Sequence, residues 1–320
     1  MLVLDSVDSC PWPDDRAVVT IGVYDGVHRG HQEVIRRVVD TAHQRGVRSA
    51  VVTFDRHPAT VVRPESAPAV ITGRRHRLEL LEATGVDATL VLPFDAAAST
   101  EDARSFARRV FVDGLQAVRV IVGSDFHFGR GREGDVALLS EVGQGSGFEV
   151  EPVDLVPRHV GGAVISSTAI RAALADGDIA RAAEMLGRPA ELRGRVIDGD
   201  RRGRTIGVPT ANVDTGPGMA IPSDGVYAAE FVRADGSVHP AVVNIGRRPT
   251  FYATAERSLV EAHLLGFDGD LYGEEVAVRF IERLRDEQRF DGLDALVAQL
   301  QRDISRAAEV LGVVGFDVES

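Results

Sequence analysis

The chain has 320 residues, 44% of them hydrophobic and 26% charged, and a formal net charge of -12. That length predicts about two domains, the acidity argues against a general nucleic-acid surface, and no apolar run is long enough to span a bilayer. Every basic side chain other than histidine is arginine, because the sequence holds no lysine. This excludes a Walker A loop, the strand lysine of protein kinases and a Schiff-base lysine.

At the start of the chain, Pro11, Pro13 and Asp14-Asp15 interrupt any apolar stretch, and residues 1–10 lack the basic region of a secretory signal. Cys10 is the single cysteine, which excludes an internal disulfide and a multi-cysteine zinc site. A cytoplasmic enzyme without a membrane partner is the expectation. The sequence leaves a homo-oligomer open.

Residues 18–23 (VVTIGV) form an apolar, β-branched run that predicts a buried parallel strand. Asp25-Gly26 and Gly30 then mark a tight turn, and residues 31–45 carry apolar side chains at helical spacing (Val34, Ile35, Val38, Val39, Ala42). His28 and His31 flank Gly30 where turn becomes helix. Unpaired N–H groups, the positive end of a helix dipole and a glycine that admits a phosphate to the backbone make this a place to handle a nucleotide phosphate. The plain alternative is two solvated histidines in a glycine-rich turn.

The alternation continues, with strands predicted at 48–53, 88–92 and 118–123 and helices at 74–84, 100–112 and 136–142. This βα rhythm predicts a parallel, doubly wound sheet with ligands at the carboxyl ends of its strands. Residues 53–58 (TFDRHP) end the second strand, and His57 is open to a structural or a direct role. Residues 123–129 (GSDFHFG) lead into 129–134, which spell GxGxxG. These glycines do not directly follow a strand, so a mobile loop near a nucleotide is expected there and a dinucleotide fingerprint is rejected. Residues 165–171 (ISSTAIR) offer Ser166 and Ser167 as helix caps, with Arg171 in the first turn. Alone, that pattern fits a capped helix with a surface arginine equally well.

A helix over 179–186 leads to a domain boundary near 186–189, giving domains 1–186 and 187–320. From Glu191 the texture changes to short alternating runs at 193–198, 226–233, 238–245, 258–265 and 275–283, which predict a closed antiparallel barrel. A final helix is expected over 293–311. Thr210 and Asn212, in the run 205–212 (TIGVPTAN), fall on one strand face and offer hard oxygens suited to Mg²⁺. A Thr/Asn pair satisfying backbone at a strand end is the alternative. Glu261 and His263 share one face of a strand, opposite Val260, Ala262 and Leu264.

Taken together, GVYDGVHRGH, ISSTAIR, GVPTAN and VEAHLL resemble bacterial bifunctional riboflavin kinase/FAD synthetases over nearly the whole chain. Departures from the family's patterns are Tyr24 for phenylalanine, Arg56 for proline, His127 for arginine and Arg289 for lysine. The resemblance implies an N-terminal Rossmann-like nucleotidylyltransferase domain that adenylylates FMN. It also implies a C-terminal Greek-key β-barrel with a terminal helix that phosphorylates riboflavin. It implies catalytic roles for His28, His31 and Glu261, the last as general base toward the ribityl hydroxyl. Nucleotide binding is implied for Gly22, Tyr24, Asp25, Gly30, Asp125, Ser167, Thr168, Arg171, Gly203 and Arg204, and flavin binding for Phe54, Phe126 and Arg285. Thr210 and Asn212 would hold Mg²⁺, with ATP as co-substrate and riboflavin and FMN as substrates. The segments 244–251 and 272–274 read as mainly architectural. Alternatives are the same folds with only the riboflavin kinase active, a different adenylyl- or cytidylyltransferase, and a non-catalytic flavin-binding protein.

Overall fold

A computed structural model describes residues 1–10, 16–154, 159–160, 163–199, 208–247 and 258–313. Two compact units result, Met1–Ser167 and Thr168–Ser320.

The first unit is built on a six-stranded parallel sheet in the order β1-β4-β3-β2-β5-β6. Its elements run β1 Leu2–Leu4, β2 Ala17–Ile21, α1 Arg29–Arg45, β3 Arg48–Phe54, α2 Ala59–Val62, α3 Arg74–Glu82, β4 Ala88–Leu92, α4 Ala103–Ala107, β5 Ala117–Gly123, α5 Val136–Ser146 and β6 Glu149–Val153. A two-stranded ribbon follows, β7 His159–Val160 with β8 Ala163–Val164. The all-buried patterns of β2 and β4 are those of strands covered on both faces. Helix α1 places Val34, Val38 and Ala42 against Val18 and Ile121 on one face of the sheet. On the other face, Phe106, Val110, Phe111 and Leu139 pack with Val19, Val52 and Val120.

Two edge strands escape the periodicity of the sequence. β1 has only three residues, too few to show a period, and β6 contains Pro152, which is tolerated because β6 lies at the sheet edge. The helix expected over 100–112 is shorter and divided. Asp102 caps α4 by accepting the Ser105 amide, and the chain continues from Arg108 in wider π-type turns to Gly114.

The second unit opens with α6 Ser167–Ala175, whose first residue closes the first unit, and α7 Ile179–Leu186. Strands β9 Ala190–Ile197, β10 Ala211–Asp214, β11 Gly225–Val232, β12 Val238–Arg247, β13 Ser258–Leu264 and β14 Glu275–Arg285 form a closed antiparallel barrel in the order β10-β13-β12-β11-β14-β9. Tyr227, Phe231, Val243, Val260, Ala262, Val278 and Phe280 are fully buried in alternation along their strands. Helix α8, Leu293–Val310, packs Ile304, Ala307 and Ala308 on the outward-facing Val226, Ala228 and Val242. Beside that covered strip, the outer face of β10, β13 and β12 carries polar side chains.

Candidate active sites

In the first unit, β2 stops at Ile21 and the turn to α1 is forced into unusual backbone. Tyr24 (φ 52°) and Val27 (φ 38°) occupy the left-handed region, beside Gly26 at 86°. A β-branched residue there is strained, and such strain clusters at functional turns. Asp25 braces the turn. Its carboxylate accepts the amide N–H of Ile71 at 2.9 and 3.1 Å and that of Thr72 at 3.0 Å, while Ser167 Oγ donates to its carbonyl at 2.8 Å. The buried Asp25 carboxylate is thus held by the backbone leading into α3.

His28 caps α1, its Nδ1 accepting the His31 N–H at 3.3 Å, which leaves the His28 proton on Nε2. The two imidazoles stack at 3.5 Å with planes 16° apart, and the Tyr24 ring meets His31 edge-on at 5.0 Å. Tyr24 is itself fixed by a 2.8 Å bond between its hydroxyl and Thr20 Oγ1. Burial, and next the adjacent His28, hold the His31 imidazole well below the ordinary histidine value. Its Nδ1 is enclosed without a hydrogen-bond partner among the described residues. Gly30 lets the His28 ring lie close to the backbone, since a Cβ there would lie 3.2 Å from both Cε1 and Nδ1 of His28 and push the ring by a few tenths of an ångström.

A cavity of about 540 Å³ opens at the carboxyl ends of β2, β3, β4 and β5, where the strand order reverses direction. Gly22, Val23, Phe54, Phe94, Asp125, Phe126 and His127 line it. Phe54 meets Phe94 edge-on at 5.4 Å, and Phe126 stacks on Phe128 at 5.2 Å. Its size and aromatic walls suit a planar ring system. His57, also in the wall, accepts the Ala59 amide at Nδ1, and His127 Nδ1 donates to the Asp125 carbonyl. The GxGxxG segment is a closed turn: Phe128 and Gly134 exchange backbone hydrogen bonds of 3.0 and 2.9 Å, and no α-helix starts there.

In the second unit, register brings distant residues into line on the barrel's outer face. Glu261 of β13 stands opposite Asn212 of β10 on one side and Asn244 of β12 on the other, and Asn244 stands opposite Val226 of β11. Directly opposed residues of antiparallel strands project to the same face. Val260, Ala262 and Leu264 point inward, as their alternation predicts. His263 donates from Nδ1 to the Pro209 carbonyl at 2.8 Å and so ties β13 to the segment carrying the exposed Thr210. Gly199 makes room for Asn212, because a Cβ there would overlap its Nδ2 and lie 2.7 Å from its Cγ. Arg285 of β14 turns Nε and Nη2 onto the buried Asp303 carboxylate of α8, with distances of 2.7–3.0 Å, and Nη1 onto the Asp286 carbonyl.

Residues 10–169 match the family described as FAD synthetase, and residues 186–311 match riboflavin kinase. An Escherichia coli K12 protein named bifunctional riboflavin kinase/FMN adenylyltransferase is 40% identical over 94% of this chain and 95% of its own length. One of the same name from Pseudomonas fluorescens is 41% identical over 92% and 93%. The chain belongs to the bifunctional riboflavin kinase/FMN adenylyltransferase family. A Streptococcus pneumoniae crystal structure described as a macrolide-efflux protein superposes with a TM-score of 0.84 at 30% identity, over 96% of this chain and 98% of that one. Among the described residues of this family member, no helix is long and apolar enough to cross a membrane.

Within this chain, Thr168 is exposed and Arg171 half-buried on α6, at the start of the second unit. Gly203 and Arg204 lie outside the described residues, as do Arg202, residues 205–207 of the segment 205–212 and residues 248–251 of the segment 244–251. Sequence reasoning missed two residues that the fold brings to the sites. Asn244 had only an architectural reading, and its register beside Glu261 is a tertiary fact. Arg77, a buried side chain of α3, gives no local signal beyond an arginine at an inward helix position.

Proposed function

We propose that this enzyme converts riboflavin to FAD in two ATP-dependent steps, each on its own folded unit. The observation that carries the reading is the coincidence of two family matches with two separate architectures, each presenting a polar constellation.

In the barrel, Glu261 is the general base that takes the proton from the ribityl hydroxyl. The hydroxyl oxygen then bonds to the γ-phosphorus of ATP as the bond to ADP breaks. The donor set of Thr210 and Asn212, a hydroxyl and a carboxamide oxygen, fits a hard cation, and the space at Gly199 lets the carboxamide sit where it does. These two residues would hold Mg²⁺, which supplies charge neutralisation at the phosphates. Arg285 orders the barrel's flavin-facing end through Asp303.

In the first unit, an FMN phosphate oxygen attacks the α-phosphorus of ATP and pyrophosphate leaves. Little proton transfer is needed, so donors aimed at the transferring phosphorus dominate. His28 and His31 serve this role at the start of α1, with Gly22, Tyr24, Asp25 and Gly30 shaping the turn. Phe54 and Phe126 hold the isoalloxazine in the cavity, with Asp125 at its rim. Ser167, the last residue of this unit, offers a hydroxyl suited to ATP phosphates. Consumption of ATP supports a cytoplasmic setting, and the riboflavin kinase match beginning at residue 186 supports a functional division near there.

The test is chromatography of flavins over time from purified protein, riboflavin and ATP, with and without Mg²⁺. FMN rising and then giving way to FAD, both stopped by EDTA, is the expected course. FMN accumulating alone would restrict the enzyme to the kinase, and no conversion would overturn the reading.

A further inference from the structure

Arg77 is 3% exposed, yet it makes no ion pair among the described residues. Its guanidinium forks onto two backbone carbonyls. Nη1 donates to Val23 at 3.3 Å and Nη2 donates to Phe54. Its Nε is buried without a partner. Asp25 and Asp55 act on it only through space, the first being held by amides and the second by Arg56 and the Phe94 amide. Burying a guanidinium on these terms costs stability, because one donor is unsatisfied and no carboxylate makes direct contact, so Asp25 and Asp55 offset the lost hydration only in part.

The carbonyls it serves explain why it is there. Val23 lies just past the end of β2 and Phe54 is the last residue of β3, where the parallel ladder stops, and both residues line the 540 Å³ cavity. Thr53 Oγ1 also donates to the Val23 carbonyl at 3.1 Å. A planar fork bridging the two carbonyls sets their separation, and with it the position of the Phe54 ring, in a way that an ammonium group cannot.

We propose that Arg77 is a positioning residue for FMN in the adenylylation step: it touches no substrate, and it fixes the cavity floor by clamping the Val23 and Phe54 carbonyls. The inference rests on the reading of the first unit as an FMN adenylyltransferase.

The test compares wild type, Arg77→Lys and Arg77→Met in FAD synthesis from supplied FMN, with riboflavin phosphorylation on the same preparations as the control. Lumiflavin serves as a ring-only competitive inhibitor. Arg77→Lys should raise both the KM for FMN and the Ki for lumiflavin by roughly tenfold, on the scale of one charge-assisted hydrogen bond. The KM for ATP, kcat and riboflavin phosphorylation should stay within about twofold. Arg77→Met should show the same split more strongly, and if it does not fold, Arg77→Lys decides alone. Wild-type FMN kinetics in Arg77→Lys would overturn the proposal. So would equal losses in the ATP and FMN parameters, which mark a general structural role. Absence of FAD synthesis in the wild type is a different failure, that of the functional reading itself.

Discussion

Glu261 stands directly opposite Asn212 across the β10–β13 pair, although 49 positions separate them in the chain (261 minus 212). With Asn244 on its other flank, the carboxylate lies in a row of amide side chains on the outer wall of a barrel whose interior is wholly apolar at this level. The row of Asn212, Glu261 and Asn244 thereby lies outside the barrel, at the margin of the surface that α8 covers.

Glu261→Gln keeps the shape and removes the base. Riboflavin phosphorylation should fall by about 10²–10⁴, and FAD formation from supplied FMN should be unchanged. Quantitative flavin chromatography reads both numbers from one preparation, and normal FMN production by the variant would remove Glu261 from the mechanism.

His28→Ala or His31→Ala should cost about 2–4 kcal/mol of transition-state stabilisation in FMN adenylylation, as loss of a preorganised donor does. Riboflavin phosphorylation in the same variants should be intact. Full FAD synthesis by either folded variant would contradict the assignment.

Gly30→Ala separates packing from stability. Alanine favours a helix over glycine by about 1 kcal/mol, so the melting temperature should not fall. The added Cβ would nonetheless meet the His28 ring at 3.2 Å, and kcat for FAD formation should drop at least about tenfold. Unaltered kinetics would mean that the His28 ring position is immaterial.

The stacked histidines also predict a pH dependence of stability. Folded His31 resists protonation through burial and His28, whereas the unfolded chain takes up that proton below about pH 6.5. Stability is therefore full above that pH and declines as pH drops, with a slope of up to about 1.4 kcal/mol per pH unit from this group. His31→Gln should flatten the decline in urea titrations between about pH 7 and 5; an identical slope would assign the proton uptake to other groups.

On the barrel, Asp303→Ala strands the largely buried Arg285 and should destabilise the second unit by about 3–5 kcal/mol. Pairing Arg285→Met with Asp303→Leu should recover most of that loss, because two matched apolar groups carry no desolvation cost. Denaturant unfolding monitored alongside riboflavin phosphorylation tests both, and a single variant as stable as wild type would show that the pair contributes little.

Much of the molecule was legible along the chain. Strands at 48–53 and 88–92 and the helix at 179–186 came from local periodicity, which a few adjacent residues suffice to show. The closed barrel followed from evenly spaced short runs. The histidine turn was readable because its strand, glycine and helix cap are contiguous. The family resemblance implies a nucleotide contact for Asp25, and the structure shows its carboxylate engaged by Ile71 and Thr72, 46 and 47 residues away.

By itself, the order of residues determined that lysine chemistry is excluded, which segments become most of the strands and helices, and where the histidine-bearing turn lies, since the last two depend on neighbours within a few positions. Only the tertiary structure decided which side chains stand together: Asn212, Glu261 and Asn244 through barrel register, and Arg77 with the carbonyls of Val23 and Phe54 through the packing of α3 on the sheet. Register and helix docking are settled by burying many apolar side chains at once, and that collective balance leaves no mark on any short stretch of sequence.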